Sequence, residues 1–300
     1  MNKIINDEHI IDGKSLAESV IDDVKHDISN ILKWSDKHCN KTIKLPHLAI
    51  ILVGDNPASQ LYVKTKSEKA KDLGIETSLY KFSDSVTEAD ILFLIDTLNK
   101  DTDINGIMVQ LPLPACFDTE KILNSVVPIK DVDGTSDNSK FTPATALAII
   151  KTIDVVAEEL NIDLKGKIAT VIGASKEVGK PVHDLLISKG VISTITDKNW
   201  DELAIKDLCV KSDIVVSATG CMGLVKSDWV KIDAIIVDVG ITKIGVSASG
   251  KAILRGDVDI NGVKNKVSAI TPVVGGIGPV TISMLMTNIV KAYELQNQDS

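Results

Sequence analysis

Aromatic side chains make up only 3% of this 300-residue chain, so its core must be aliphatic, which suits Val- and Ile-rich parallel strands covered by helices. Cysteine is scarce too: the four at 39, 116, 209 and 221 form no Cys-x-x-Cys pair and, with five scattered histidines, no metal-ligand spacing. A disulfide scaffold and a zinc site are thereby excluded, and a reducing cytosol fits. No apolar run approaches the length of a membrane-spanning helix, and the opening segment, with Asp7, Glu8 and Asp12, is too acidic for a signal peptide. A basic stripe is also missing. The formal charge of -8 is spread along the chain, so neither nucleic acid nor an anionic membrane is an expected partner.

What is present is a 44% apolar fraction, enough for a sizeable core, and a length that allows two domains. Residues 10–11 read as a short strand, 15–34 as a helix by their apolar spacing, and 40–46 as a polar linker. The run 48–52 reads as a buried parallel strand. Gly54, Asn56 and Pro57 break it, and Ser59 reads as the N-cap of a helix over 59–73 that Gly74 closes. Tyr62 and Lys66 share one face of that helix, near the C-terminal end of the strand, where open α/β sheets gather ligands. The alternative is a surface helix with Lys64, Lys66 and Lys69 solvated and the Tyr packed inward. Strand 75–82, helix 87–98 and strand 104–111 follow, the last ended by Pro112 and Pro114. This alternation predicts an α/β fold.

A short helix over 119–126 and a charged loop over 128–138 lead to a helix over 144–160, the expected passage between domains. Strand 168–172 then runs into GASKEVGKP at 173–181, the order of strand, glycine turn and helix that a dinucleotide site requires. Gly173 permits a tight turn and Ser175 can donate to a phosphate oxygen, although the spacing is not GxGxxG, and a glycine turn with no ligand is the alternative. Strand 191–196 ends at Asp197, where an acidic side chain binds the ribose hydroxyls of NAD and repels a 2′-phosphate; Lys198 pulls the other way. Segments 213–220 and 234–240 are further strands ending in Gly220 and Gly240, which together with the first two predict a Rossmann-like second domain. A hairpin over 243–259, a strand over 267–270, the glycine-rich TPVVGGIGPVT at 271–281 and a final helix over 280–295 complete the chain.

Six of these segments, VGDNPASQLYVKTK, VQLPLP at 109–114, KDVDG at 130–134, GASKEVGKP, DVG at 238–240 and TPVVGGIGPVT, together resemble the methylenetetrahydrofolate dehydrogenase/methenyltetrahydrofolate cyclohydrolase family. The resemblance implies a cytoplasmic homodimer of two-domain subunits. Its catalytic domain would span 1–146 plus 280–300 and its nicotinamide-cofactor domain 147–279, with the last helix returning to the first domain and a folate cleft between the two. It implies oxidation of 5,10-methylenetetrahydrofolate by NAD or NADP, with Asp197 leaning toward NAD, and hydrolysis of the methenyl product to 10-formyltetrahydrofolate. Carried over by motif position, Tyr62 stacks on the folate rings, Lys66 acts on the bridging carbon and its water, Gln110 hydrogen-bonds Lys66, and Asp133 holds the pterin edge. Gly276 and Pro279 would line the substrate. Gly173, Ala174, Ser175, Val178, Asp197, Thr219, Gly220, Gly240 and Ile241 would line the cofactor, with no metal. Spacing alone leaves Asp131 as a possible loop cap beside Asp133.

The chain also departs from the family. Only TSDNSK separates Gly134 from Phe141, where relatives carry a longer Asn-x-Gly-x-Leu segment. Ala144, Ala146 and Ala148 replace the Cys, Pro and Gly of Phe-x-Pro-Cys-Thr-Pro-x-Gly, Val274 replaces the Pro of Pro-Gly-Gly, and Asp197-Lys198 stands for His-Ser or His-Arg. Such a chain is expected to keep both activities, to keep the dehydrogenase without efficient hydrolysis, or to bind folate without turnover.

Overall fold

The computed structural model describes residues 3–38, 44–247, 250 and 252–297; positions 40–43 of the expected linker and 248, 249 and 251 of the expected hairpin lie outside them. The chain divides into a first unit, residues 19–144 with 282–300, and a second unit, residues 1–18 with 145–281.

The first unit is built on a parallel sheet in the order β2-β1-β3, from β1 (His47–Val53), β2 (Glu76–Phe82) and β3 (Gly106–Val109). Leu48 to Val53 are all buried, as a central strand covered on both faces requires, whereas the edge strand β2 is only partly buried. Four helices contribute: α1 (Gly13–His38), α2 (Pro57–Asp72), α3 (Glu88–Lys100) and α4 (Thr119–Asn124). Ile91 and Ile95 of α3 and Ile122 of α4 pack on Ile51 and Ile107 of the sheet.

Helix α2 starts two residues earlier than the expected Ser59 cap. Asn56 is the N-cap: its side chain accepts from the amides of Ala58 (2.9 Å) and Ser59 (3.2 Å), and Pro57 takes the first helical position. Asn is at least as good a cap as Ser, and a proline after it has no amide to leave unsatisfied. Gly74 closes the helix in the left-handed region, at φ 77°. Thr87 and Asp90 form a reciprocal capping box at the start of α3.

In the second unit the parallel sheet runs β10-β7-β6-β4-β5, from β4 (Ile168–Ile172), β5 (Ile192–Thr196), β6 (Ile214–Ser217), β7 (Ile235–Asp238) and β10 (Ala269–Ile270). Helix α5 (Ala144–Glu159) leads into this sheet, and α6 (Gly179–Ser188), α7 (Glu202–Cys209) and α8 (Ile260–Val263) lie between later strands; α7 and α8 are additions to the expected elements. The antiparallel hairpin of β8 (Thr242–Val246) and β9 (Ala252–Arg255) stands apart from the sheet. Strand order reverses at β4, which has β5 on one side and β6 on the other, and the C-terminal edge at such a switch point is where open α/β sheets bind ligands. Ala144, Ala146 and Ala148 are all buried in α5, which begins directly after Pro143.

The N-terminal segment differs from the expected boundaries, which put it with the first unit. The amides of Ile4 and Ile5 donate to the Glu159 carboxylate, and Ile10 and Ile11 add to the β10 edge through bonds between His9, Ile11 and Ile270. A Cβ on Gly13 would collide with the Gly276 carbonyl, so this close approach requires glycine. The last helix, α9 (Ile277–Asn297), belongs to the first unit from residue 282 onward. Its Asn288 donates to the carbonyls of Val132 (2.9 Å) and Thr142 (3.1 Å), and its Gln296 to that of Asn105 (2.8 Å). Among the described residues no helix is long and apolar enough to cross a membrane.

Replacing Asn56 tests the cap. Asn56→Ala is expected to lower stability by about 1 kcal/mol and Asn56→Gly by only a few tenths, both read from denaturant unfolding.

Candidate active site

In the first unit the chemistry-bearing side chains gather where β1 and β3 end. Helix α2 buries Ser59, Val63, Lys66 and Ala70 along one stripe, so Lys66, only 8% exposed, points into the protein. Tyr62 stays exposed at 38%. This reverses the surface-helix alternative: the tyrosine faces solvent and one lysine is buried, while Lys64 remains at the surface near Glu68.

The Lys66 ammonium donates to Gln110 Oε1 at 3.2 Å and lies 3.2 Å from Met108 Sδ. Gln110 is held in turn by its own Nε2, which donates to the Leu111 carbonyl at 2.7 Å. Met108 and Gln110 are two residues apart at the end of β3 and so face the same way; that period-two spacing is the signal by which Met108 could have been found. An ammonium carries three protons and here meets one oxygen and one weak thioether acceptor, which leaves capacity for a ligand. Ser59, on the same stripe of α2, has a buried hydroxyl with no partner among the described residues.

Asp131 and Asp133 part company. Asp131 is buried and accepts from the amides of Gly134, Thr135 and Ser136 and from the Ser136 hydroxyl, at 2.6 to 3.3 Å. It is the cap of the loop that follows. Asp133 makes no such bonds; burial holds its carboxyl above the usual carboxylate range, Lys66 opposes that, and Asp131 adds to it. Lys130, just before them, is buried with its ammonium on the carbonyls of Leu98, Asn99 and Asp101, where α3 ends. Burial lowers its pKa, with Asp101 opposing.

In the second unit the expected cofactor residues follow parallel strands and therefore share one edge. Gly173 follows β4, Asp197 follows β5, Thr219 and Gly220 follow β6, and Gly240 and Ile241 follow β7. Gly173 turns at φ 104°, and a Cβ there would strike the Ala218 carbonyl. Ser175 accepts from the Val178 amide at 3.2 Å, which leaves its hydroxyl proton free to donate beside the start of α6. Ala174 lies between Gly173 and Ser175 in this turn. A tight glycine turn opening a helix at a switch point fits the pyrophosphate of a dinucleotide. Asp197 closes its own turn by accepting from the Asn199 amide at 2.9 Å. Gly276 and Pro279 belong to the second unit, and Gly276 is packed on the Pro272 carbonyl. Among the described residues no His, Cys, Asp or Glu cluster could hold a metal.

The sequence profile of the tetrahydrofolate dehydrogenase/cyclohydrolase catalytic domain matches residues 11–133, and that of the NAD(P)-binding domain of the same enzymes matches residues 143–297. The chain belongs to the tetrahydrofolate dehydrogenase/cyclohydrolase family. It is similar to the bifunctional protein FolD of Fusobacterium nucleatum, 41% identical over 295 residues that cover 95% of this chain and 98% of that protein. The crystal structure of the bifunctional FolD enzyme of Campylobacter jejuni superposes with a TM-score of 0.83 at 38% identity, covering 95% of this chain and 98% of that one. That of Trypanosoma brucei FolD, complexed with NADP cofactor and inhibitor, gives 0.86 at 29% identity over 95% and 97%. Residues 134–142 lie between the two matched spans and contain the TSDNSK loop.

Gln110 is the oxygen partner of a buried ammonium. Gln110→Leu is expected to cost about 1–3 kcal/mol of stability, and combining it with Lys66→Met to recover part of that, as a double-mutant unfolding cycle would measure.

Proposed function

We propose that this protein oxidises 5,10-methylenetetrahydrofolate with a nicotinamide dinucleotide and hydrolyses the methenyl product to 10-formyltetrahydrofolate. The observation that carries this reading is the buried Lys66 ammonium on Gln110, with Asp133 in electrostatic reach and otherwise unbonded. When bound, the dinucleotide supplies the hydride acceptor. The first unit supplies the folate site and the second the cofactor edge. Tyr62, exposed beside the buried lysine, stacks on the folate rings, and Asp133 accepts from the amino and ring N–H groups of the pterin.

Hydride loss leaves an amidinium cation at the bridging carbon. Water adds to that carbon, the bond from carbon to N5 breaks, N5 takes a proton, and the formyl group stays on N10. Lys66, acting as the neutral amine with one N–H on Gln110 Oε1, takes the proton from the attacking water and becomes the ammonium. The Ser59 hydroxyl, buried on the same helix face without a partner among the described residues, offers a further hydrogen bond to the folate. Asp197, at the end of β5, disfavours a 2′-phosphate and makes NAD the preferred cofactor.

A coupled absorbance assay with 5,10-methylenetetrahydrofolate, run with NAD+ and NADP+ separately, tests the reaction. Reduced cofactor is expected without methenyl product in the wild type, faster with NAD+, and methenyl product is expected to accumulate in Lys66→Ala as hydrolysis falls about a hundredfold or more. No reduction with either cofactor, despite measurable folate binding, would sink the reading. The carboxyl of Asp133 predicts a pH effect. Because its pKa is raised, the ionised acceptor is lost at a higher pH than for an exposed aspartate. Folate affinity should therefore weaken on acidification from above the usual carboxylate range, and Asp133→Asn should bind weakly without that acid limb, as titrations across pH would record.

A further inference from the structure

Two carboxylates lie buried at the C-terminal edge of the second unit's sheet, and neither belongs to the set of residues described above as lining the cofactor. Asp238 ends β7 and Asp257 follows Gly256 after β9; they are 4% and 0% exposed. Oδ2 of Asp257 accepts from the Ser217 hydroxyl at 3.0 Å, the Thr219 amide at 2.7 Å, the Thr219 hydroxyl at 2.9 Å and the Gly220 amide at 3.3 Å. Its Oδ1 is buried with no partner among the described residues. Asp238 accepts from the amides of Gly240, Asp257 and Val258, each at 3.0 Å. Burial above all pushes Asp238 up to about 6, its amide donors opposing and the Asp257 charge adding.

The two segments cross without room for a side chain. A Cβ on Gly240 would fall inside the Asp257 carboxyl, and one on Gly256 inside the Asp238 carboxyl. A buried carboxylate with one oxygen unpaired is only partly compensated, and the bonds that compensate it come from Ser217, Thr219 and Gly220. What its charge does is gather donors from the β6 turn. The turn it fixes, 218–220, also packs on the dinucleotide turn, since the Ala218 carbonyl closes against Gly173.

We propose that Asp257 is the positioning residue of the cofactor edge: its carboxylate holds the Thr219–Gly220 turn, and through Ala218 the Gly173 turn, in the arrangement that receives a nicotinamide dinucleotide, without touching the dinucleotide itself. The proposal rests on the reading of the second unit as the cofactor site. An amide at this position keeps one oxygen for the four donors but loses the charge that strengthens those bonds and buries its NH2 where Oδ1 has no partner among the described residues, so the turn is held less firmly.

The test uses the full-length protein as wild type, Asp257→Asn and Ser217→Ala. NADH and NADPH binding is followed by nicotinamide fluorescence, and hydrolysis of methenyltetrahydrofolate, which needs no dinucleotide, is measured alongside. Asp257→Asn is expected to raise the dissociation constant of the preferred cofactor about tenfold or more, and Ser217→Ala, which removes one donor from Asp257, about threefold, with the hydrolysis rate unchanged in both. If Asp257→Asn does not fold, Ser217→Ala decides by the same split. Wild-type cofactor affinity in a folded variant, or hydrolysis falling in step with cofactor binding, overturns the proposal. A wild-type protein that binds neither dinucleotide overturns the cofactor reading and the proposal together.

Discussion

In both units every strand of the main sheet runs in the same direction, so each chain exit lies on one edge, and the rest of the molecule's chemistry follows from that polarity. Parallel strands need long crossovers, and those crossovers bring α2 back beside β1 and β3 with Lys66 facing Gln110. The same constraint lines up Gly173, Thr219, Gly220 and Gly240 in the second unit, although more than sixty residues separate the first from the last. Neither set needs a special loop to assemble it. Sheet direction does most of the positioning, and local hydrogen bonds add the final angles.

The loop between Gly134 and Phe141 is fastened at both ends. Lys130 is fastened to the end of α3 and Asp131 is wrapped by the amides that follow it, so the backbone on the N-terminal side of Asp133 is fixed before the loop begins. From the far side, Asn288 joins the carbonyls of Val132 and Thr142 and so ties both ends of the loop to one helix. Asn124 and Asp137 exchange two further bonds. The loop is thus a sealed turn, and the Lys66 and Gln110 pair lies outside it.

Much of this was legible from residue types and their order. The alternation of apolar runs with glycine turns gives both sheets, and the motif positions bring Lys66 to Gln110. Other features depend on contacts that spacing does not encode. Asp131 and Asp133 are chemically identical and nearly adjacent, and only the direction of the next three amides makes one a cap and leaves the other unbonded. Ser59 looks like a cap until Asn56 is seen to reach its amide first. The placement of the N-terminal segment turns on a pairing with Ile270 across most of the chain, and no local signal carries it. Asp257 sits among glycines and valines in a stretch that reads as an ordinary hairpin return, and its four donors come from β6 and the turn that follows it.

The crossing of Gly240 and Gly256 has a consequence for how such a chain can vary. The described residues of the β8–β9 arm lie between those two glycines, so the arm is attached like a loop of ribbon pinned at its base. The register of the main sheet and the bonds of the two carboxylates are made outside the arm. This makes the arm a place where the chain can lengthen, shorten or acquire new surface chemistry while the cofactor edge stays as it is.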